Sequence, residues 1–252
     1  MLFRSPKIDD LLRELAAGTP AIVLENFGFF KWAPIWHYSV VIGYDLDQLI
    51  VIRRSGKRAR LPTPLPVFEK IWREEDYWAM LVLPPDRVPV TATENRYAAA
   101  VVALEQSGNL KNALIAYNAL LKRWPDSLAG QMGRGNVAYA LKDMDTAESS
   151  FRLAARDHPD SAAALNNLAS VLGERDKLNE ALETAEKAVA LGGPLQATAQ
   201  ATLDEIRQKI AQADAARAAV KPPAADTAKT APPPGDAKPA AKAKKKQRKP
   251  SA

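Results

Sequence analysis

The sequence predicts an α+β domain over residues 1–90, an all-α solenoid of helical repeats over 94–195, a capping helix over 196–216 and a disordered basic tail over 217–252. Three observations carry that division. Short apolar runs bounded by Gly, Pro, Asn and Asp fill the first ninety residues, as strands do. Small and aromatic residues recur every 34 residues from Ala113 onward, a period that belongs to stacked helical units. From Lys221 to the end there is no aromatic residue, and Ala, Pro and Lys dominate. Such a composition cannot bury enough apolar surface to order itself.

In chain order, Ile8, Leu11, Leu12 and Leu15 form a helical stripe that Gly18 closes. Pro20 opens the apolar run 21–24, read as a buried strand. Residues 26–34 form a loop unusually rich in aromatics, with Phe27, Phe29, Phe30 and Trp32. Two further strands fall at 38–43 and 49–52, joined by the turn Asp45-Leu46-Asp47-Gln48. Pro62, Pro64 and Pro66 predict an irregular stretch, and 67–72 one or two helical turns. A fourth strand at 78–83 ends at Pro84-Pro85. A helix followed by several short strands is an α+β pattern.

The repeats follow from spacing. Ala113, Ala147 and Ala181 stand 34 residues apart, as do Tyr117, Phe151 and Ala185, then Leu120, Ala154 and Ala188. Pro125 and Pro159 keep the same interval, with Pro194 one residue late. Small residues are needed where two antiparallel helices cross closely, and large apolar ones where units stack. The strings Gly135-Asn136-Val137-Ala138-Tyr139 and Asn166-Asn167-Leu168-Ala169, with the turns Pro125-Asp126-Ser127 and Pro159-Asp160-Ser161, resemble the tetratricopeptide repeat. The units then span 94–127, 128–161 and 162–195, and Leu203, Ile206 and Ile210 mark the helix that shields the last one. Stacked repeats form a concave groove lined by first-helix residues. By repeat position alone, Gln131, Arg134, Asn136, Asn166, Asn167 and Ser170 are the groove residues.

Before the repeats, Trp36-His37-Tyr38-Ser39-Val40-Val41-Ile42-Gly43-Tyr44-Asp45 follows a helix, Gly18-Thr19-Pro20 and a hydrophobic strand. In that order these elements resemble the C-terminal half of a papain-like, C39-type cysteine peptidase domain over residues 9–83, and more closely a bacterial subfamily in which such a domain precedes tetratricopeptide repeats. The resemblance gives His37 the position of the general base. Where the family places an orienting Asp or Asn this chain has Arg53, whose guanidinium carries donors only. Asp45 is the nearer carboxylate that would have to orient the ring. The chain contains no cysteine, so the thiolate nucleophile is missing and His37 is expected to be silent. Ser5, Ser39 and Ser55 are poor substitutes, none standing at the start of a long helix. If the chain is a fragment of an active peptidase, its nucleophile lies upstream of Met1.

Composition closes off other classes. Without Cys there is neither a disulfide framework nor a thiolate metal site, and two separated histidines, His37 and His158, make no metal constellation. No cofactor is expected. The net charge of +6 resides in residues 221–252, whose nine Lys/Arg face two Asp; the residues before them sum to −1. A specific nucleic-acid partner is therefore not expected. No signal peptide or apolar run of spanning length is present, which predicts a cytoplasmic chain, or an envelope or periplasmic one if an N-terminal segment precedes Met1. The expected function is a protein-interaction module, binding a protein or peptide in the repeat groove and fused to a catalytically incomplete peptidase-like half-domain. That half-domain should expose apolar surface around Leu24, Val41 and Ile50, to be covered by the repeats, by self-association or by another partner.

Overall fold

The computed structural model describes residues 2–4, 8–28 and 32–220. The chain divides into two units, Met1–Ala213 and Asp214–Ala252.

The first unit begins with β1 (Leu2–Arg4), α1 (Ile8–Ala16), β2 (Ala21–Asn26), β3 (Trp36–Asp45), β4 (Ile50–Ser55), β5 (Arg58–Pro64), α2 (Leu65–Arg73) and β6 (Trp78–Leu81). The strands form one antiparallel sheet in the order β1-β6-β2-β3-β4-β5. Alternation along each strand sorts residues between two faces. One face carries Ala21, Val23, Val41, Val51, Ala79 and Leu81, buried beneath Leu11 of α1 and Phe68 and Trp72 of α2. The Trp72 indole N–H, which cannot be left dry without a partner, donates to the Trp78 carbonyl at 2.8 Å. Val41, expected on exposed surface, is a core residue; Leu24 and Ile50 do lie on the opposite face, half-buried.

The stretch around Pro62 and Pro64 is not irregular but the edge strand β5. Proline is tolerated there because an edge strand has one side with no ladder to complete. Pro62 and Pro64, with the cations Arg58 and Arg60, blunt an edge that would otherwise recruit another strand.

Residues 82–93 tie sheet to repeats. Thr91 donates to buried Glu14 of α1 through its N–H at 2.8 Å and its hydroxyl at 2.6 Å. Arg87 donates to the Ala17 carbonyl at 2.5 Å, closing the end of α1.

The repeats comprise α3 (Glu94–Gln106), α4 (Leu110–Arg123), α5 (Leu128–Ala140), α6 (Met144–Asp157), α7 (Ala162–Glu174) and α8 (Leu178–Leu191). Ser127 and Ser161 cap α5 and α7 by accepting from Gly130 N–H at 3.1 Å and Ala164 N–H at 3.3 Å. The turn inside each repeat needs one left-handed residue, and Gly108, Lys142 and Asp176 supply it at 34-residue intervals. Ala113, Ala147 and Ala181 are fully buried where the paired helices cross, with Tyr117 and Phe151 packed one turn on. Helices approach so closely at Gly133 that a Cβ would lie 2.1 Å from the Tyr117 ring. After a 3-10 turn at Gly193–Leu195, α9 (Gln196–Val220) continues the pattern. Ala199, Leu203 and Ile206 stand 34 residues beyond Leu165, Ala169 and Leu172, and all three are buried. Thus α9 begins as the first helix of a further unit and closes the core.

Residues 217–220, expected in the disordered tail, are helical. Ala215, Ala216, Ala218 and Ala219 have the highest helix propensity, and Arg217 reaches Asp214 at 3.7 Å within the second unit. The remainder of the basic tail, 221–252, lies outside the described residues. Among the described residues no helix is long and apolar enough to cross a membrane.

Candidate functional site

The groove residues separate once their partners are known. Gln131 shares its repeat position with Tyr97 and Leu165, and all three are buried. Its amide donates to the Pro125 carbonyl at 2.9 Å and to Asp157 at 2.7 Å. It is a structural bridge inside the repeat rather than a groove residue, because that position points into the stack. Arg134 is likewise turned toward α6, its Nε donating to Ser150 at 2.8 Å, and burial lowers its pKa from the ordinary guanidinium value.

Of the other four, Asn136, Asn167 and Ser170 come together. Asn136 on α5 and Asn167 on α7 are joined by an amide hydrogen bond of 3.2 Å. With Tyr139, Phe151, Ser170 and Val171 they line a depression of about 320 Å³. Asn166, beside Asn167, keeps a buried Oδ1 with no partner among the described residues. The amides offer donors and acceptors in pairs, as an extended backbone requires.

Tyr139 and Glu174 complete this surface and were not singled out from the sequence. The Tyr139 hydroxyl donates to Glu174 at 2.5 Å. That hydrogen bond, with burial and the charges of Glu174 and Glu205, raises the phenol pKa. The signal was available: Tyr139 lies three residues after Asn136, and Glu174 four after Ser170, so each shares a helix face with a named residue. A parallel pair sits one repeat earlier, where Tyr117 donates to Glu105 at 2.6 Å. Burial, then the Glu105 hydrogen bond and charge, push the Tyr117 phenol well up.

Below the groove, repeats two and three are pinned by Glu148 of α6. It pairs with Arg152 at 2.8 Å, Lys177 at 2.7 Å and Arg175 at 3.2 Å. Burial opposes its charge, but hydrogen bonds from Lys177 and Arg152, and the attraction of both cations, hold its carboxyl below the usual range.

In the sheet domain, His37 shares a hydrogen bond of 2.8 Å with Ser55, between Nε2 and Oγ, and its ring centroid lies 5.8 Å from that of Phe27. Asp45 does not reach it. The Asp45 carboxylate accepts from the Asp47 and Gln48 N–H groups at 3.0 Å, capping the turn at the far end of β3. Arg53 is buried and ion-paired with Glu25, the residue opposite His37 in the β2–β3 register, and its Nε donates to Thr63 at 2.9 Å. Ser39 is buried opposite Val23, and Ser5 lies outside the described residues.

Residues 97–162 and 145–195 match the family model for the tetratricopeptide repeat, so the helical units are tetratricopeptide repeats. Among curated proteins none matches the chain. Similar solved structures include the first tetratricopeptide domain of human RPAP3 bound to an HSP90 peptide, 21% identical, covering 47% of this chain and 93% of its own, with a TM-score of 0.44. The TPR2B domain of yeast Sti1, in complex with Hsp70, is 18% identical over 46% of this chain and 97% of its own, at 0.44. The Yersinia enterocolitica secretion chaperone SycD, with a peptide of the translocator YopD, is 19% identical over 48% and 98%, also at 0.44. Nothing among these matches supports the peptidase resemblance of residues 9–83.

Proposed function

We propose that the repeats bind an extended peptide segment of a partner protein through Asn136, Asn166, Asn167 and Ser170. The observation that carries this is the convergence of Asn136, Asn167 and Ser170, from two different repeats, on one depression beside Tyr139. Side-chain amides can engage a peptide backbone whatever its sequence, while the Glu174 carboxylate at the rim favours an uncharged or basic segment over an acidic one. The sheet domain goes with this as a catalytically incomplete relative of the peptidase it resembles. Support comes from the absence of cysteine and from an imidazole whose Nε2 is already held by Ser55.

The test is a phage-displayed library of unstructured peptides selected on the full chain, with binders measured by fluorescence anisotropy. Selected peptides should be neutral or basic, and Asn136→Ala with Asn167→Ala should weaken them about 10-fold, the loss of one to two hydrogen bonds. Binders unmoved by that pair would place the site elsewhere. Peptide hydrolysis that survives a thiol alkylator and disappears in His37→Ala would overturn the non-catalytic reading of the sheet domain.

A further inference from the structure

Among the described residues, the helices packed on the sheet lie on one face. These are α1 and α2, and the register places Ile22, Leu24, Trp36, Tyr38, Val40, Ile52, Trp78 and Met80 on the other face. Trp36 is 65% exposed and Tyr38 59%, while the aliphatic members are half-buried. An apolar face of this breadth on a folded chain marks a contact surface.

Its charges show what it fits. At one side, beneath β6, the turn before Trp78 carries Glu74, Glu75 and Asp76, and Glu75 accepts from the Trp36 indole N–H at 3.2 Å. At the other side, the β4–β5 hairpin carries Arg54, Lys57, Arg58 and Arg60, all exposed and none ion-paired among the described residues. Arg54 lies opposite Val40, on the open face itself. Between the two, Trp78 and Tyr38 meet edge to face at 5.6 Å. From β6 to β5 is four strand spacings, about 19 Å, so the acidic and basic margins are well separated. A surface ordered acid, aromatic, base across its strands is complementary to itself. Turned about a two-fold axis parallel to the strands, each basic hairpin of one copy faces the acidic turn of the other.

We propose that two copies of this chain pair sheet to sheet through this open face. Single-stranded nucleic acid, which also uses exposed aromatics beside cations, fits less well. The Glu75 carboxylate, held at the edge of the Trp36 indole, would repel a phosphate backbone drawn in beside that ring.

Sedimentation velocity of the full chain from about 1 to about 100 µM reads the equilibrium directly. The parent should pass from monomer to dimer, and Tyr38→Glu, which buries a charge at the centre, should abolish the dimer. Arg54→Glu and Glu75→Arg should each raise the dissociation constant about 10-fold at low salt, since each sets like charges against one another. An equimolar mixture of those two variants should recover the parent's affinity as a heterodimer, because every facing pair is again of opposite sign. That recovery excludes misfolding as the cause of either single loss. A chain that remains monomeric throughout overturns the proposal, as does a dimer indifferent to Tyr38→Glu or a mixture that fails to recover. Binding of fluorescein-labelled oligo(dT) that Arg54→Glu abolishes, without self-association, would assign the face to nucleic acid instead. Asn136→Ala should leave the dimer unchanged.

Discussion

The repeats and the sheet domain hold together by different means. In the repeats each inner helix is enclosed by its neighbours, and units two and three are linked by ionic contacts whose cations reach the rim, Arg175 and Lys177 with Glu148. Stability there is a sum over similar interfaces, and no single contact decides it. The sheet domain buries one face of its sheet and leaves the other open, and it places an isolated ion pair, Glu25 with Arg53, inside the buried layer. Charge at a rim can be lost piecemeal. Charge in a core cannot.

The comparison predicts its largest effect at Arg53. Arg53→Met leaves the fully buried Glu25 carboxylate with no counter-ion and should destabilise the sheet domain by about 3–5 kcal/mol. Adding Glu25→Leu to it should recover most of that loss, since a buried pair contributes little net over well-packed apolar side chains. Four of the five tryptophans precede residue 94, so urea unfolding followed by tryptophan fluorescence reads this domain, and far-UV circular dichroism the helices. A single variant as stable as the parent would mean that water or a rearrangement serves Glu25.

Within the repeats the largest single effect should come from sterics. Alanine in place of Gly133 gains about 1 kcal/mol in helix propensity. Its Cβ would, however, fall 2.1 Å from the ring of Tyr117, which is fully buried and tethered by its hydroxyl to Glu105. Overpacking should win, with a net loss of about 1–3 kcal/mol. A melting temperature equal to or above the parent's would show that the helices can slide apart, making the repeats softer than their packing implies.

The repeats are legible because one spacing constrains many positions at once: the 34-residue interval alone places Ala113, Ala147 and Ala181. The helices and strands β2, β3, β4 and β6 of the sheet domain showed in apolar runs. β5 did not, because its Pro62 and Pro64 are strand-breaking anywhere but at an edge, and edge position is a property of the whole sheet. Gln131 was misread since a polar side chain at a stacking position looks exposed until Asp157, in the next helix, supplies its partner. The Ser55 partner of His37 lies 18 residues away across a strand pair, which spacing along the chain does not reveal.

The ionic rim makes a pH prediction. The Glu148 carboxyl is held below its ordinary value in the folded chain, so its contribution is complete above the usual carboxylate pKa and is lost as pH falls through the lowered one. Asp157 and Glu180 shift the same way, Asp157 through Arg156 and Gln131, Glu180 through Arg152. Glu148→Gln should cost about 1–2 kcal/mol near neutrality, a figure limited by the exposure of Lys177 and Arg152. It should also flatten the decline in stability between about pH 5 and pH 3, measured by denaturant midpoint. A variant with the parent's slope would remove Glu148 as the linkage between repeats.

The smallest expected stability effect separates the groove from everything that supports it. Asn136 is exposed, and among the described residues its side chain hydrogen-bonds to Asn167 alone. Asn136→Ala should therefore move the unfolding midpoint by less than about 0.5 kcal/mol. Gln131→Ala, five residues back, removes donors to Pro125 and Asp157 from a buried site and should cost about 1–3 kcal/mol. The two substitutions lie on the same helix and remove similar chemistry, so their contrast tests burial alone. If Asn136→Ala weakens peptide binding while leaving stability intact, and Gln131→Ala does the reverse, the polar face of α5 is divided between a binding edge and a structural one. Equal stability losses would mean that the Asn136–Asn167 pair is a strut between repeats, and the groove reading would lose its central residues.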